Sequence, residues 1–396
     1  MTHAVDAVVV GAGMWGCTLA RRLAEAGRRV LVLEKRAAVG GNCRCEIDPE
    51  TGIEVHTYGS HIFHTSNRQV WDFVSRFTGF NDYRHVVLAR ARAGERWRNE
   101  VEVDKGGLYH LPIGCTLLKE FFGRDIRPSE LTDEERNAVF DAFVRGYTSK
   151  QWGVPPDKVD PAVIKRLKVR DNDSTRYFDD LYEGIPTDGY NEMFRRMLDH
   201  PSITVKTSSS LKLELEKGRF VIFNEKENTS LPLSTSTSAL HLYYSGPIDA
   251  LFGYKFGALP WRSLRFETEK LPVADFQGNS VVNYPDVEVA YTRIHEFRHY
   301  HLESNGGVHP TIEQANKLSN RTIIMREYPC AWKVGDEPYY PISNPESAAL
   351  LAKYQEEVRR LSAENSALRL VVGGRLGAYK YYDMDKAVAA AMEVGG

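Results

Sequence analysis

Six residues near the start, Gly11-Ala12-Gly13-Met14-Trp15-Gly16, carry the spacing G-x-G-x-x-G, and eighteen positions beyond the last glycine stands an acid, Glu34. Each residue type suits a dinucleotide. Gly11 permits a tight turn, Gly13 lets backbone approach a pyrophosphate, Gly16 allows a helix to pack closely on a strand, and Glu34 can accept from ribose hydroxyls. The N-terminus of the following helix then faces the anion. A glycine pair, Gly40-Gly41, comes shortly after the acid and is followed by Asn42. Such a pair is also what an ordinary turn uses. A third concentration, HTYGSHIFHTS at 56–66, holds His56, His61 and His64 together with Tyr58 and Phe63. The histidines lack the spacing of ligands on one helix face and no acid is interleaved, so a mixed polar-aromatic pocket wall fits better than a metal site. Cys43 and Cys45 have no second pair at metal-site spacing. No metal is expected.

Regular elements must hold these residues. Ala7–Val10 is a short apolar run that reads as a buried strand, and Leu19, Ala20, Leu23 and Ala24 recur at helical spacing before Gly27 stops the helix. Val30–Leu33 is a second apolar run ending at Glu34. The glycine motif therefore sits at the first turn of a β-α-β unit, the context that makes it a dinucleotide signature. Farther on, 67–83 reads as a helix. Pro128-Ser129-Glu130 and Thr132-Asp133-Glu134-Glu135 read as capped helix starts, with Val139, Phe140, Phe143 and Val144 on a core face and Pro155-Pro156 closing the region. Residues 201–240 read as strands with polar turns, Ser234 to Ser238 as a solvated loop or edge strand, and Leu240–Tyr244 as a strand. Ser280–Tyr284 and Glu288–Thr292 look β-like, and 345–362 forms an amphipathic helix. A last strand, Arg369–Val372, meets Gly373-Gly374, then Arg375, then a helix starting near Asp383. That helix N-terminus could return to the same cofactor.

Composition bounds the rest. A chain of 396 residues carries a prior of two to three domains. Hydrophobic residues at 42% and a net charge of −2 exclude disorder, and no basic excess points to nucleic acid. No apolar run reaches the roughly 18 residues of a membrane span. The N-terminus has no signal-peptide pattern, and the five sparse cysteines suit a reduced, cytoplasmic chain.

The Gly-Gly pair after the acid is similar to that of two-dinucleotide-domain flavoproteins, which favours FAD over NAD. Taken with GAGMWG and Glu34, the stretches GGN at 40–42, YGSHIFHT at 58–65, GYTSKQWG at 146–153, VRDNDSTRYFDDLYEGIPTDGY at 169–190, YSGPIDALFGY at 244–254, VNYPDVEVAYTRI at 282–294, EPYYPI at 337–342 and GRLGAYKYYDMD at 374–385 occur in one order along nearly the whole chain. In this the chain resembles the UDP-galactopyranose mutase family. The resemblance implies FAD, active in its reduced form, and an isomerase that interconverts pyranose and furanose forms of a nucleotide sugar. There the flavin N5 attacks the anomeric carbon and displaces UDP, with no net redox.

Carried over by motif, the catalytic set is Arg170, Arg293 and His61, with both arginines on the diphosphate and His61 beside the flavin. The substrate set is Tyr147, Gln151, Trp152, Tyr182, Asn283, Tyr340 and Tyr381, with Trp152 on the uracil and Phe63 added to the wall. The cofactor set is Gly11, Gly13, Gly16, Glu34, Lys35, Gly41, Asn42, Tyr58, His61, Arg375, Asp383 and Met384. Arg262 and Arg375 are weaker carry-overs, near flavin or phosphates. The implied partners are a nucleoside-diphosphate sugar and an external flavin reductant, with a homodimer as the candidate assembly. The implied fold is α/β, a Rossmann-like FAD-binding domain with a small helical lobe and an antiparallel β-sheet lobe. The FAD-binding domain takes 1–66, 186–255 and 365–396, the helical lobe 67–185 with a mobile lid near 163–176, and the sheet lobe 256–364.

Four features depart from the family pattern. Ser60 stands where the family usually has proline, and 90–107 inserts Arg90, Arg92, Arg96 and Arg98. The helical region from Phe121 to Tyr147 is short, and Val144 replaces an aromatic. They keep open the same chemistry on another nucleotide sugar, a deoxy sugar or pentose on UDP, TDP or GDP. More remote readings are an FAD-dependent amine or alcohol oxidase and a non-catalytic flavoprotein module.

Overall fold

The computed structural model describes residues 5–92, 107–153, 155, 169–214, 219–224, 226–232, 240–301 and 320–394. Its central element is a five-stranded parallel sheet in the order Leu368–Val372, Leu240–Tyr244, Ala7–Val10, Val30–Leu33, Ile203–Lys206. Two of the three inner strands, AVVV and VLVL, are wholly buried, as a parallel sheet covered on both faces requires. One face is packed by the helices Met14–Glu25, Gly189–Leu198 and Met384–Val394 through Leu19, Leu23, Phe194, Met197 and Val388. The other is packed by Tyr354 of the helix Pro345–Glu364, with Leu251, Phe252 and Trp261. From Ala7–Val10 the chain builds outward on one side and later returns on the other. The carboxyl ends of Ala7–Val10 and Leu240–Tyr244 thus flank a topological switch point, the usual place for a ligand crevice.

A seven-stranded sheet runs in the order Tyr340–Pro341, Trp261–Leu271, Thr322–Ala331, Arg293–Glu296, Val281–Asn283, Val87–Ala91, Gly107–Leu111. Its pairs are antiparallel except Val281–Asn283 with Val87–Ala91, which is parallel. Two of its strands come from the region read as helical lobe. Ala91 and Gly107 pair directly, so the Arg-rich insertion leaves and re-enters at one sheet edge. Arg96 and Arg98, the Ser234 to Ser238 segment and part of the expected lid, 163–168, lie outside the described residues.

The helical region comprises Cys115–Phe122, a 3-10 turn Pro128–Glu130, Asp133–Phe140, a π turn Asp141–Arg145 and Gly146–Trp152. Thr132 closes a capping box with Glu135. The π turn shifts the helix phase between the buried Val139, Phe143 and Val144 and the next turn, which carries Tyr147.

Two elements differ from the sequence reading. The expected helix over 67–83 ends at Val74, because Gly79 to Asn81 lie extended against Ile185–Thr187. Glu288–Thr292 is turn, not strand. The carbonyls of Val289 and Tyr291 are taken by Lys150 Nζ, and pairing with Thr322–Ala331 continues as a strand only from Arg293. Among the described residues no helix is long and apolar enough to cross a membrane.

Candidate functional site

The Gly-rich turn lies at the switch point. Gly11 has φ +94°, and a Cβ on it would come 2.2 Å from Ser245 Oγ, which donates to Val10 O. A Cβ on Gly16 would come 1.9 Å from Gly11 O. The 40–42 loop folds onto this turn through Gly40 N–H to Ala12 O (2.8 Å), and a Cβ on Gly41 (φ +57°) would come 2.9 Å from Gly13 Cα. Bare backbone therefore lines both sides of a cradle that a dinucleotide pyrophosphate fits. Glu34 is buried at the end of its strand and accepts from Ala12 N–H (2.8 Å) and Arg36 N–H (2.9 Å), with lone pairs left for a ribose. Lys35 is exposed. Its neighbour Arg36, absent from the sequence reading, lies over the Tyr58 ring at 4.3 Å, donates to Asn42 Oδ1 (2.7 Å) and pairs with Glu337 (2.7 Å). Asp383 and Met384 open the helix that packs on Met14–Glu25.

From the cradle an aromatic ladder leads toward the seven-stranded sheet. Arg375 donates to Tyr382 O and lies 5.0 Å over Tyr381. Tyr381 stacks on Tyr340 at 5.7 Å, and Tyr340 lies 6.3 Å from Trp152. Trp152 ends a helix stopped by Gly153, whose last carbonyls, Lys150 O and Gln151 O, accept from Arg262 at 3.2 and 2.9 Å. Arg262 thus caps that helix, a role the sequence did not announce. The same helix is tied to loop 284–291 by Lys150 Nζ, which reaches the carbonyls of Tyr284, Asp286, Val289 and Tyr291 at 2.5 to 3.0 Å.

Arg293 opens its strand facing this helix. Its Nη2 donates to Tyr147 OH and its Nε lies 3.3 Å from Glu327 Oε1. Burial works against both charges. Arg293 nonetheless holds the Glu327 carboxyl below the usual range, helped by His295 and Thr292, and Glu327 keeps Arg293 charged. Asn283 lies opposite Arg293 in the sheet; its Oδ1 and Gln151 Oε1 are buried acceptors without a protein partner. Such groups fit a ligand bearing hydroxyls or amides. His61 Nδ1 donates to Gly59 O at 2.6 Å, and burial pushes the imidazole down to about 4, so the ring is neutral with Nε2 open.

Three expected residues are engaged by other protein groups. Arg170 is buried, but its fork is bound to the carbonyls of Arg176 and Tyr177 and to Asp179 (2.8 Å). The segment after it is tied to the helix Cys115–Phe122 by Cys115 N–H to Asn172 O and Thr116 Oγ1 to Asp173 O. Tyr182 stacks on Trp71 at 5.0 Å, beside Arg68. Phe63 is a core residue packed against Trp71 and Phe80. Cys45, Glu54 and His56 converge in the core, but the Glu54 carboxylate there already accepts from Tyr190 N–H and His301 Nε2.

A family profile described as UDP-galactopyranose mutase matches residues 142–381, and one described as an NAD(P)-binding Rossmann-like domain matches 9–77. The chain is 32% identical to a probable UDP-galactopyranose mutase of Klebsiella pneumoniae, over 98% of this chain and 92% of that one. The chain belongs to the UDP-galactopyranose mutase family. Members of this family are isomerases, and the matched region spans the ladder from Tyr147 to Tyr381. The chain is equally similar, at 32% identity over 98% of its length and 96% of the relative's, to a dTDP-fucopyranose mutase of Escherichia coli. A crystal structure of reduced UDP-galactopyranose mutase superposes with a TM-score of 0.62 at 17% identity, covering 99% of this chain and 94% of that one. That likeness is one of fold.

Proposed function

We propose that the chain holds FAD in reduced form and interconverts the pyranose and furanose forms of a nucleotide sugar, with UDP-galactose as the leading substrate. The observation that carries this reading is a half-buried, charged Arg293 beside the open acceptor of Asn283, at one end of an aromatic ladder whose other end is Arg375, on the segment Gly374–Gly377 that packs on Ser245 of the dinucleotide cradle. A nucleoside diphosphate needs this order of groups: a flat apolar face for the base, a cation for the phosphates and polar groups for the sugar. Trp152 offers the face, and Arg293 offers a guanidinium whose remaining donors suit phosphate oxygens. Arg170 supplies a second fork by exchanging Asp179 for phosphate. Asn283 and Gln151 take sugar or base hydrogen bonds, and Tyr340 and Tyr381 close the sugar against the flavin. Neutral His61 Nε2 faces the cofactor as an acceptor. Reduced FAD, when bound in the cradle, supplies a nucleophilic ring nitrogen and returns unoxidised. The protein's contribution is to hold reacting centres together and to stabilise the departing diphosphate.

The matching identity to a dTDP-fucopyranose mutase supports a second reading, the same chemistry on a deoxy sugar or pentose carried by UDP, TDP or GDP. One experiment separates them: dithionite-reduced protein incubated with a panel of UDP-, TDP- and GDP-furanoses and pyranoses. Conversion of UDP-galactofuranose faster than all others supports the first reading, and a faster TDP or GDP sugar supports the second. No isomerisation of any of them, with reduction of the flavin by an amine or alcohol when the oxidised protein is used instead, would contradict both.

A further inference from the structure

Ser60, where the family usually has proline, is not a neutral replacement. Its Oγ lies 2.5 Å from His295 Nδ1 and is also bonded to Tyr300 OH. His295 is 1% exposed, and its Nε2 lies 3.2 Å from Glu327 Oε2. The other oxygen of that carboxylate faces Arg293 Nε at 3.3 Å and Thr292 Oγ1 at 3.3 Å. With a neutral ring, only one set of proton positions satisfies these contacts. Ionised Glu327 can only accept, so His295 Nε2 carries the proton and donates. Nδ1 is then a lone pair that accepts the Ser60 hydroxyl proton, and Ser60 Oγ accepts from Tyr300 O–H. A protonated ring would turn a second N–H against Ser60 and reverse the chain. The charged and titratable groups around the ring are Arg293, Glu327, Tyr300, His61, His56 and His85, and burial with Arg293 favours the neutral form.

We infer that Ser60 and His295 are positioning residues: Ser60 fixes His295 as the Nε2–H tautomer, His295 fixes the Glu327 carboxylate, and Glu327 sets the direction of the Arg293 guanidinium. Without the His295 donor, a buried carboxylate oxygen loses its partner and the group is free to turn toward Arg293 or Thr292 alone. The chain of bonds joins the 59–61 loop, which carries His61, to the cation of the opposite sheet. A network of this kind specifies one geometry only if every member is satisfied. The inference rests on the proposed role of Arg293 as the diphosphate contact.

The test uses flavin-loaded full-length protein labelled with 15N-histidine. The two-bond 1H–15N spectrum, assigned by loss of a signal in His295→Phe, should show His295 as a neutral Nε2–H tautomer from pH 8 to pH 5.5. A Nδ1–H tautomer or an imidazolium at pH 7 would overturn the inference whatever the activity. A double-mutant cycle is read on UDP affinity and on turnover. Ser60→Ala should weaken both about tenfold and His295→Phe about thirtyfold, and the double variant should be no worse than His295→Phe, because Ser60 acts through the ring. Additive losses would mean that Ser60 and His295 act separately. His295→Gln, which keeps an N–H donor for Glu327, should recover to within about threefold of the parent, a rescue that lost packing alone would not give. If every protein in the cycle were inactive on all nucleotide sugars, the proposed function would fail, while the tautomer would still decide the assignment of His295.

Discussion

Arg293 shows how much of a site one side chain can carry and how little of that a linear motif reveals. The TRI stretch identifies an arginine, and the sequence pattern likewise marks Trp152, Tyr340 and Tyr381, which the structure brings to one ladder, and Asn283, which it sets opposite Arg293. The motif says nothing of Glu327, thirty-four positions downstream, which becomes a partner only because two antiparallel strands place Arg293 opposite it. Tyr182 was as legible as Tyr340 but packs on Trp71, since its short strand pairs with Phe63–Thr65 instead of facing the ladder. The planar fork of Arg293 is held by Tyr147 and Glu327 at once, a geometry a lysine point charge cannot reproduce. Arg293→Lys should therefore lower kcat/KM about a hundredfold while the bound-flavin absorption spectrum is unchanged. Steady-state kinetics within threefold of the parent would remove Arg293 from the diphosphate site.

At the scale of elements, the β-α-β unit is readable because the short apolar runs AVVV and VLVL read as buried strands and the glycines and helical spacing between them mark the turn and the helix. Elements whose state depends on distant partners were not. The helix expected to reach 83 stops at Val74 because Gly79 to Asn81 pair with Ile185–Thr187, and the expected strand 288–292 is a turn because Lys150 takes its carbonyls. That ammonium ties the helix bearing Tyr147 and Trp152 to the loop before Arg293. Lys150→Met keeps the length but leaves four carbonyls without their donor. It should lower Tm by about 5 to 10 °C and weaken UDP binding, since each lost bond in a half-buried place costs roughly 1 kcal/mol. Calorimetry and UDP titration check this, and an unchanged Tm with unchanged affinity would show that the loop holds itself. Arg262→Ala removes the cap from the last carbonyls of the same helix and should free Trp152, raising the Kd for UDP while the rate of flavin reduction by dithionite stays unchanged.

For the whole molecule, the α/β class follows from local pattern, while the strands Val87–Ala91 and Gly107–Leu111 join the second sheet through nonlocal pairing that no local pattern announces. The near-zero net charge also conceals the local cations Arg170, Arg293 and Arg375. Burial distributes a further property over the fold. His61 is pushed down to about 4 and His85 to about 3, against an ordinary value of 6.5. Between those values the unfolded chain binds protons that the native one refuses, so the stability these rings contribute is complete above pH 6.5 and is lost as pH falls toward 4 and then 3. Tm should drop by several degrees between pH 7 and pH 4.5; a flat profile would mean that these rings titrate normally in the fold. The central claim, isomerisation without net redox, is tested most directly by adding UDP-galactofuranose to dithionite-reduced, flavin-loaded protein under anaerobic conditions. The account predicts UDP-galactopyranose in amounts many times the enzyme concentration, with the flavin still reduced at the end. Stoichiometric flavin oxidation, or no isomer from this or any other nucleotide sugar, would contradict it.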